Sequence, residues 1–396
     1  MKTTLRKLVP VAAIGLLTLT AAARADDDND HRNAYAVTPL VSDMKGAAAV
    51  QDQVLQNSWG VAFTPAGSPF WIADNATGCA TLYDGDGTKV GLQVSIPLPG
   101  NIVPSTDCTH ANPNAPPNPT PAAPTGIIWN PTTNAATAFF VPRTTLPASF
   151  IFATEDGTIS AWTGGLTPPA AADNAVLAVD NSKLPTPASG AVYKGLAFGV
   201  NVNGDFIYAT NFRAGTIDVF DHNYKPATTI NGDIDGDFVD PDIPAGFAPF
   251  DIKLIDGELF VTYAKQNGQK HDDVAGPGNG FVDVFDTDGH LLRRFASRGP
   301  LNSPWGIARA SFAFGRFSGM ILIGNFGDGH INVFDSSGRF VDQLKDAHGK
   351  PLMIDGLWTL TLGGGAKSSP DTLYFTAGPN GETDGLFGTI TPVSEP

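Results

Sequence analysis

The chain has 396 residues, with 39 acidic against 24 basic side chains and a net charge of −15. That surplus argues against nucleic acid or an anionic membrane surface as a partner. Forty-four glycines, 32 prolines and 25 phenylalanines among few charges read as a turn-rich, aromatic all-β composition.

Lys2, Arg6 and Lys7 precede an apolar run from Leu8 to Ala23, closed by Ala23-Arg24-Ala25. Residues 1–25 therefore read as a cleaved secretory signal. The run is shorter than the roughly 20 apolar residues of a membrane span, and no later stretch reaches that length. The mature chain is expected to be secreted or periplasmic, with no transmembrane anchor and a charge of −19 from 39 acidic and 20 basic residues. Residues 26–33 read as a disordered acidic leader, and 34–396 as a single domain.

From Ser58 onward two signatures alternate. The first is an opening strand: Ser58-Trp-Gly-Val-Ala, Pro124-Thr-Gly-Ile-Ile, Tyr193-Lys-Gly-Leu-Ala, Ala248-Pro-Phe-Asp-Ile, Ser303-Pro-Trp-Gly-Ile and Ile354-Asp-Gly-Leu-Trp. The second is a strand pair around a short loop, such as Phe70–Asn75 with Ala80–Asp84, Phe206–Asn211 with Thr216–Asp221, and Met320–Asn325 with His330–Asp335. Six copies occur, bounded by hairpin signals such as Asp84-Gly85 and Asp288-Gly289. A small antiparallel sheet cannot bury both faces alone, and stacking such sheets radially solves the problem. The expectation is an all-β, six-bladed β-propeller. The last copy supplies only three strands, so Tyr35–Val41 is expected to pair with it and close the ring.

Cys79 and Cys108 are the two cysteines. In an oxidising compartment they are expected to form a disulfide, the alternative being two free thiols. Leu98–Pro124, Gly165–Ala191 and Lys265–Asn279 have the composition of surface loops.

Val41-Ser-Asp, Trp59-Gly-Val-Ala, Leu301-Asn-Ser-Pro-Trp-Gly-Ile-Ala, Gly324-Asn-Phe-Gly-Asp-Gly-His-Ile-Asn and Asp355-Gly-Leu-Trp resemble an uncharacterised bacterial family of exported proteins related to NHL-type (TolB-like) propellers. Some members of that family carry a PEP-CTERM sorting tail, and this chain departs from them at Ser394-Glu-Pro396. The resemblance implies export and a propeller, and it brings no catalytic residues.

In a propeller of this repeat, residues before the innermost strand and loops joining the second and third strands face one end of the channel. Candidates for a ligand site at that mouth are Asn57, Asp74, Glu155, Lys194, Asn211, Asp251, Asn302, Asn325 and Asp355, with Asn75, Asp156 and Glu382 in neighbouring positions. Oxygen ligands converging there suit Ca²⁺, or a metal that polarises a carbonyl or activates water. The same side chains also cap turns in such positions. A separate acidic segment places Asn231, Asp233, Asp235, Asp237 and Asp242 at calcium-loop spacing around Gly236, with a solvated acidic turn as the alternative. The histidines show no metal-ligand spacing, and no Gly-x-Ser-x-Gly elbow or phosphate loop occurs. Two functions fit: a monomeric binding module for a small molecule or an extracellular or envelope protein, and a metal-dependent hydrolase or lactonase on the propeller axis.

Overall fold

The structure is a computed structural model that describes residues 33–101, 108, 121–132, 138–166 and 173–393. Residues 1–32, read from sequence as a signal peptide and most of an acidic leader, lie outside the described residues. Asn33, assigned to the leader from sequence, is held in place: its Nδ2 donates to Asp342 and to the Gln343 carbonyl, and its Oδ1 accepts from the Lys345 N–H.

Six sheets form the blades of a β-propeller, all antiparallel except where Val50–Gln51 adds a short parallel strand to the sixth. Their inner strands are Ser58–Ala62, Pro124–Trp129, Tyr193–Asn201, Phe247–Ile255, Pro304–Arg309 and Leu357–Leu362. Ring closure follows the sequence expectation. Tyr35–Ser42 pairs antiparallel with the last strand, Leu386–Pro392, in a register running from Tyr35 opposite Pro392 to Ser42 opposite Leu386. The sixth blade therefore joins both ends of the chain, and Tyr35 packs on Phe314 while its hydroxyl donates to the Phe314 carbonyl.

The third blade differs from the four-stranded expectation, having three strands, Tyr193–Asn201, Gly204–Asn211 and Thr216–Asp221. The segment that follows carries Pro226, Pro241 and Pro244, which have no N–H to donate to a ladder. It joins the blade through the Ala227 N–H, which donates to the Val219 carbonyl (2.8 Å), and through the Asn201 and Asn203 side chains, which donate to the Asp233 and Gly232 carbonyls.

Each inner strand carries a register irregularity near its repeated glycine position. Threonines of the second strands fill three of these gaps: Thr210, Thr262 and Thr376 accept through Oγ1 from the backbone N–H of Gly195, Asp251 and Thr359. A Cβ on Gly60, Gly126, Gly195 or Gly306 would lie closer than 3 Å to an atom of the next blade's inner strand. The repeated glycine thus sets how closely successive blades pack around the axis. Between blades the core is apolar and aromatic, as where Trp71 meets Phe150 and Trp162 with ring centroids 4.2 and 4.7 Å apart.

Cys79 and Cys108 are joined by a disulfide, with Cα atoms 5.8 Å apart.

Candidate functional site

An aromatic plug crosses the channel. Trp59, Phe250, Trp305 and Trp358 come from four inner strands and form one buried cluster with Phe212. Trp59 stacks on Trp358 at 3.5 Å, Trp305 meets both edge-on, and Phe326 stacks on the other face of Trp358 at 4.0 Å. Trp59, Phe250, Trp305 and Trp358 stand in the opening-strand repeats, which the sequence reading used to count blades.

At the mouth a polar group rests against this plug. Lys194, just before the repeat glycine of the third blade, is 2% exposed. Its ammonium bonds Glu155 Oε1, lies 4.0 Å from Asp272 Oδ1, and sits 5.0 and 5.8 Å from the ring centroids of Trp59 and Phe212. Carboxylates and ring faces together hold the buried cation. From Glu155 a chain of bonds continues around the axis. Asn75 Nδ2 donates to Glu155 Oε2 (2.9 Å), and Asn57 Nδ2 donates to Asn75 Oδ1 (3.2 Å) and Glu382 Oε2 (2.9 Å). Asn57 Oδ1 accepts from the Trp358 indole N–H (3.1 Å), which ties the mouth to the plug. Gly378 leaves room for this amide, since a Cβ there would collide with Asn57 Oδ1.

Burial shapes the electrostatics. The carboxyls of Asp156, Asp273 and Glu382 are all pushed above the usual carboxylate range, chiefly because burial disfavours their charged forms, with smaller contributions from neighbouring carboxylates. Asp272 is lowered, foremost by its hydrogen bond with His271, whose Nδ1 lies 2.6 Å from Asp272 Oδ1. Glu155, His271 and Asp272 offer ligand atoms within 4.8 Å of one another, the one such trio among the described residues. One imidazole nitrogen with two carboxylates suits a zinc- or manganese-class ion better than Ca²⁺, which takes six to eight oxygens.

The sequence-derived candidates divide into groups. Asn57, Glu155 and Lys194 meet at the mouth with Asn75 and Glu382. Asn302 ties two mouth loops together, accepting from the Gly276 N–H (2.6 Å) and donating to Asp328 (3.0 Å). Asp74, Asn211 and Asn325 turn into their own blades. Asp74 is buried between the hydroxyls of Ser58 and Thr81, Asn211 donates to Asp218, and Asn325 donates to Asp328 and the Pro300 carbonyl. Asp355 lies exposed on the rim and accepts from the Asn380 N–H. Asp251 lies along the channel at the level of the repeat glycines.

The acidic segment is not gathered into a loop. Ile234, Gly236 and Phe238 face inward while Asp235, Asp237 and Asp242 are exposed, so alternation turns the carboxylates outward. Asn231 caps its own turn, accepting from the Thr228 and Asp233 N–H groups.

His271, Asp272 and Asp273 were missed because Lys265–Asn279 reads as a surface loop. It joins the second and third strands of the fourth blade, the position occupied by Asn75 and Glu155 in the first two, and that alignment was the available signal.

Fold and site together define a six-bladed propeller with an acidic, amide-rich mouth closed below by an aromatic plug. No protein-family model matches the chain. Two curated proteins of Acanthamoeba polyphaga mimivirus, uncharacterized proteins R648 and L690, are 33% and 32% identical to it over 359 residues, covering 90% of this chain and 80% and 85% of theirs. The chain belongs to their family. The bacterial, PEP-CTERM-associated family named in the sequence resemblance finds no support among these viral relatives. Among solved structures, the chain is similar to a gluconolactonase of Xanthomonas campestris (TM-score 0.45, 13% identity, 85% of this chain and 86% of that one). It is also similar to a soluble aldose sugar dehydrogenase of Escherichia coli (TM-score 0.49, 12% identity, 91% of this chain and 100% of that one). Neither similarity bears on activity.

Proposed function

We propose that this protein is an exported binding module whose channel mouth takes a small cationic ligand. The observation that supports this reading is the surplus of partly desolvated acid at the mouth: Glu155, Asp156, Asp272, Asp273 and Glu382 are gathered near a single buried ammonium, that of Lys194. A second positive charge would relieve their mutual repulsion, and the amides of Asn57 and Asn75 hold the frame that receives it. The disulfide is compatible with the export read from residues 1–25. Calorimetric titration with methylammonium and with choline tests the reading. Binding by the native protein that weakens at least tenfold in Glu382→Gln supports it, and no heat from either cation overturns it.

A metal-dependent hydrolase is the second reading, favoured by the Glu155–His271–Asp272 trio. Such an ion would polarise a carbonyl or activate water. It would have to share Glu155 with the Lys194 ammonium. Metal analysis of the purified protein, with a lactone and ester hydrolysis screen of native and His271→Ala protein, separates the two readings. A stoichiometric ion and His271-dependent hydrolysis favour the enzyme.

A further inference from the structure

Beyond the plug the channel holds a cavity of about 20 Å³, room for one small ion or a water molecule. Gly60, Gly126, Asp251, Lys253, Trp305 and Thr359 are among the residues that line it. Asp251 occupies the place where four of the six repeats carry glycine, and the bare Cα of Gly195 makes room for its carboxylate, since a Cβ there would overlap Asp251 Oδ1.

Three of the lining residues carry underused polar groups. Asp251 is 7% exposed, and its carboxylate is aided only by the Ile252 N–H and the charge of Lys253. Burial holds the Lys253 ammonium below the ordinary lysine range, and Asp251 is the one charge that opposes this. Trp305 is 3% exposed, and its indole N–H has no acceptor. A buried donor without a partner is costly, so a group that accepts from both Trp305 and Lys253 is favoured there. A cation is disfavoured by Lys253, and a neutral water leaves the ammonium without a counter-charge once Asp251 is protonated.

We propose that this cavity is a site for a small monovalent anion of the halide class, held by the Lys253 ammonium and the Trp305 indole N–H and taken up together with a proton on Asp251. Charge balances: the proton neutralises Asp251, and the anion neutralises Lys253. Burial raises the Asp251 carboxyl to about 7, so the proton is available near neutrality. Lys253 is the charged group facing Asp251, and the remaining lining residues named above do not titrate. The site is independent of the mouth reading, because the aromatic plug separates the two.

The test uses the mature protein and bromide, which quenches tryptophan fluorescence, titrated at constant ionic strength against sodium sulfate. The expected result is a saturable component at pH 6 that is about tenfold weaker at pH 8, following the protonated fraction of a carboxyl titrating near 7. Lys253→Met and Trp305→Phe abolish it, and Asp251→Asn keeps it while removing its pH dependence. Quenching that rises linearly with bromide at both pH values, or a saturable component that persists in Lys253→Met, overturns the proposal. Should Lys253→Met fail to fold, Asp251→Asn decides: an unchanged pH dependence in that variant refutes the coupling.

Discussion

Replacing Lys194 with methionine keeps the length of the side chain and removes its charge. Lys194 is 2% exposed, and its ammonium neutralises Glu155, whose side chain is 13% exposed. Without it, Glu155 keeps the Asn75 amide (2.9 Å) and no counter-ion. Breaking a buried pair by deleting one partner costs about 3–5 kcal/mol. Because Glu155 retains some solvent and one donor, Lys194→Met should cost about 3 kcal/mol, including the lost attraction to the Trp59 and Phe212 faces. Glu155→Gln in the same background should restore most of that loss, giving a coupling of about 2 kcal/mol in a double-mutant cycle read by urea denaturation. A loss under 1 kcal/mol together with a coupling near zero would refute the claim that the mouth is desolvated.

Further expectations concern the ring. Gly306→Ala places a Cβ against the Trp358 carbonyl and the Leu360 N–H, backbone atoms that cannot swing away, and should cost about 3 kcal/mol. Gly91→Ala, with nothing within 4 Å, should be nearly neutral, and thermal melts of the two variants give the comparison. Asp251 has a carboxyl raised to about 7 in the fold, so its contribution to stability is present at low pH and lost as pH rises from about 4 to 7. Asp251→Asn should make the fall in stability over that range shallower by about 1.4 kcal/mol per pH unit, measured by urea denaturation at each pH. Replacing both Cys79 and Cys108 with serine, which opens a loop spanning 29 positions, should cost about 3.5 kcal/mol in the chain-entropy account.

Much of the architecture is legible in the residues because the repeat makes each blade announce itself. Trp59-Gly, Lys194-Gly and Trp305-Gly mark inner strands, and the alternation of Tyr35–Val41 marks a strand lacking a partner. The third blade is less legible, since local composition does not reveal that a proline-bearing segment replaces its outer strand. For the mouth, the repeat locates Asn57, Glu155 and Lys194, but not which side chains point to the axis. Asp74, Asn211 and Asn325 share the repeat position and differ in outcome because nearby hydroxyls, carboxylates and carbonyls draw them into their own blades. The acidic segment misleads for a related reason. Spacing alone does not distinguish a loop that turns its carboxylates inward from an extended run that buries Ile234 and Phe238 and turns them out. His271 and Asp272 were hidden by composition, because a polar insertion reads as solvent-facing until the blade geometry lays it over the channel.

The pairing of Tyr35–Ser42 with Leu386–Pro392 also bears on how the protein is made. A contact between segments about 350 positions apart costs roughly 5 kcal/mol of closure entropy before it returns anything. The five blades between them can form as the chain emerges, each from neighbouring residues, whereas the sixth must wait for the final strand. Until that strand arrives, the nascent protein carries two unpaired sheet edges, one at each end of an open arc. Such edges invite pairing with other chains, so the interval between synthesis of the fifth blade and the sixth is when this protein is most exposed to aggregation and proteolysis.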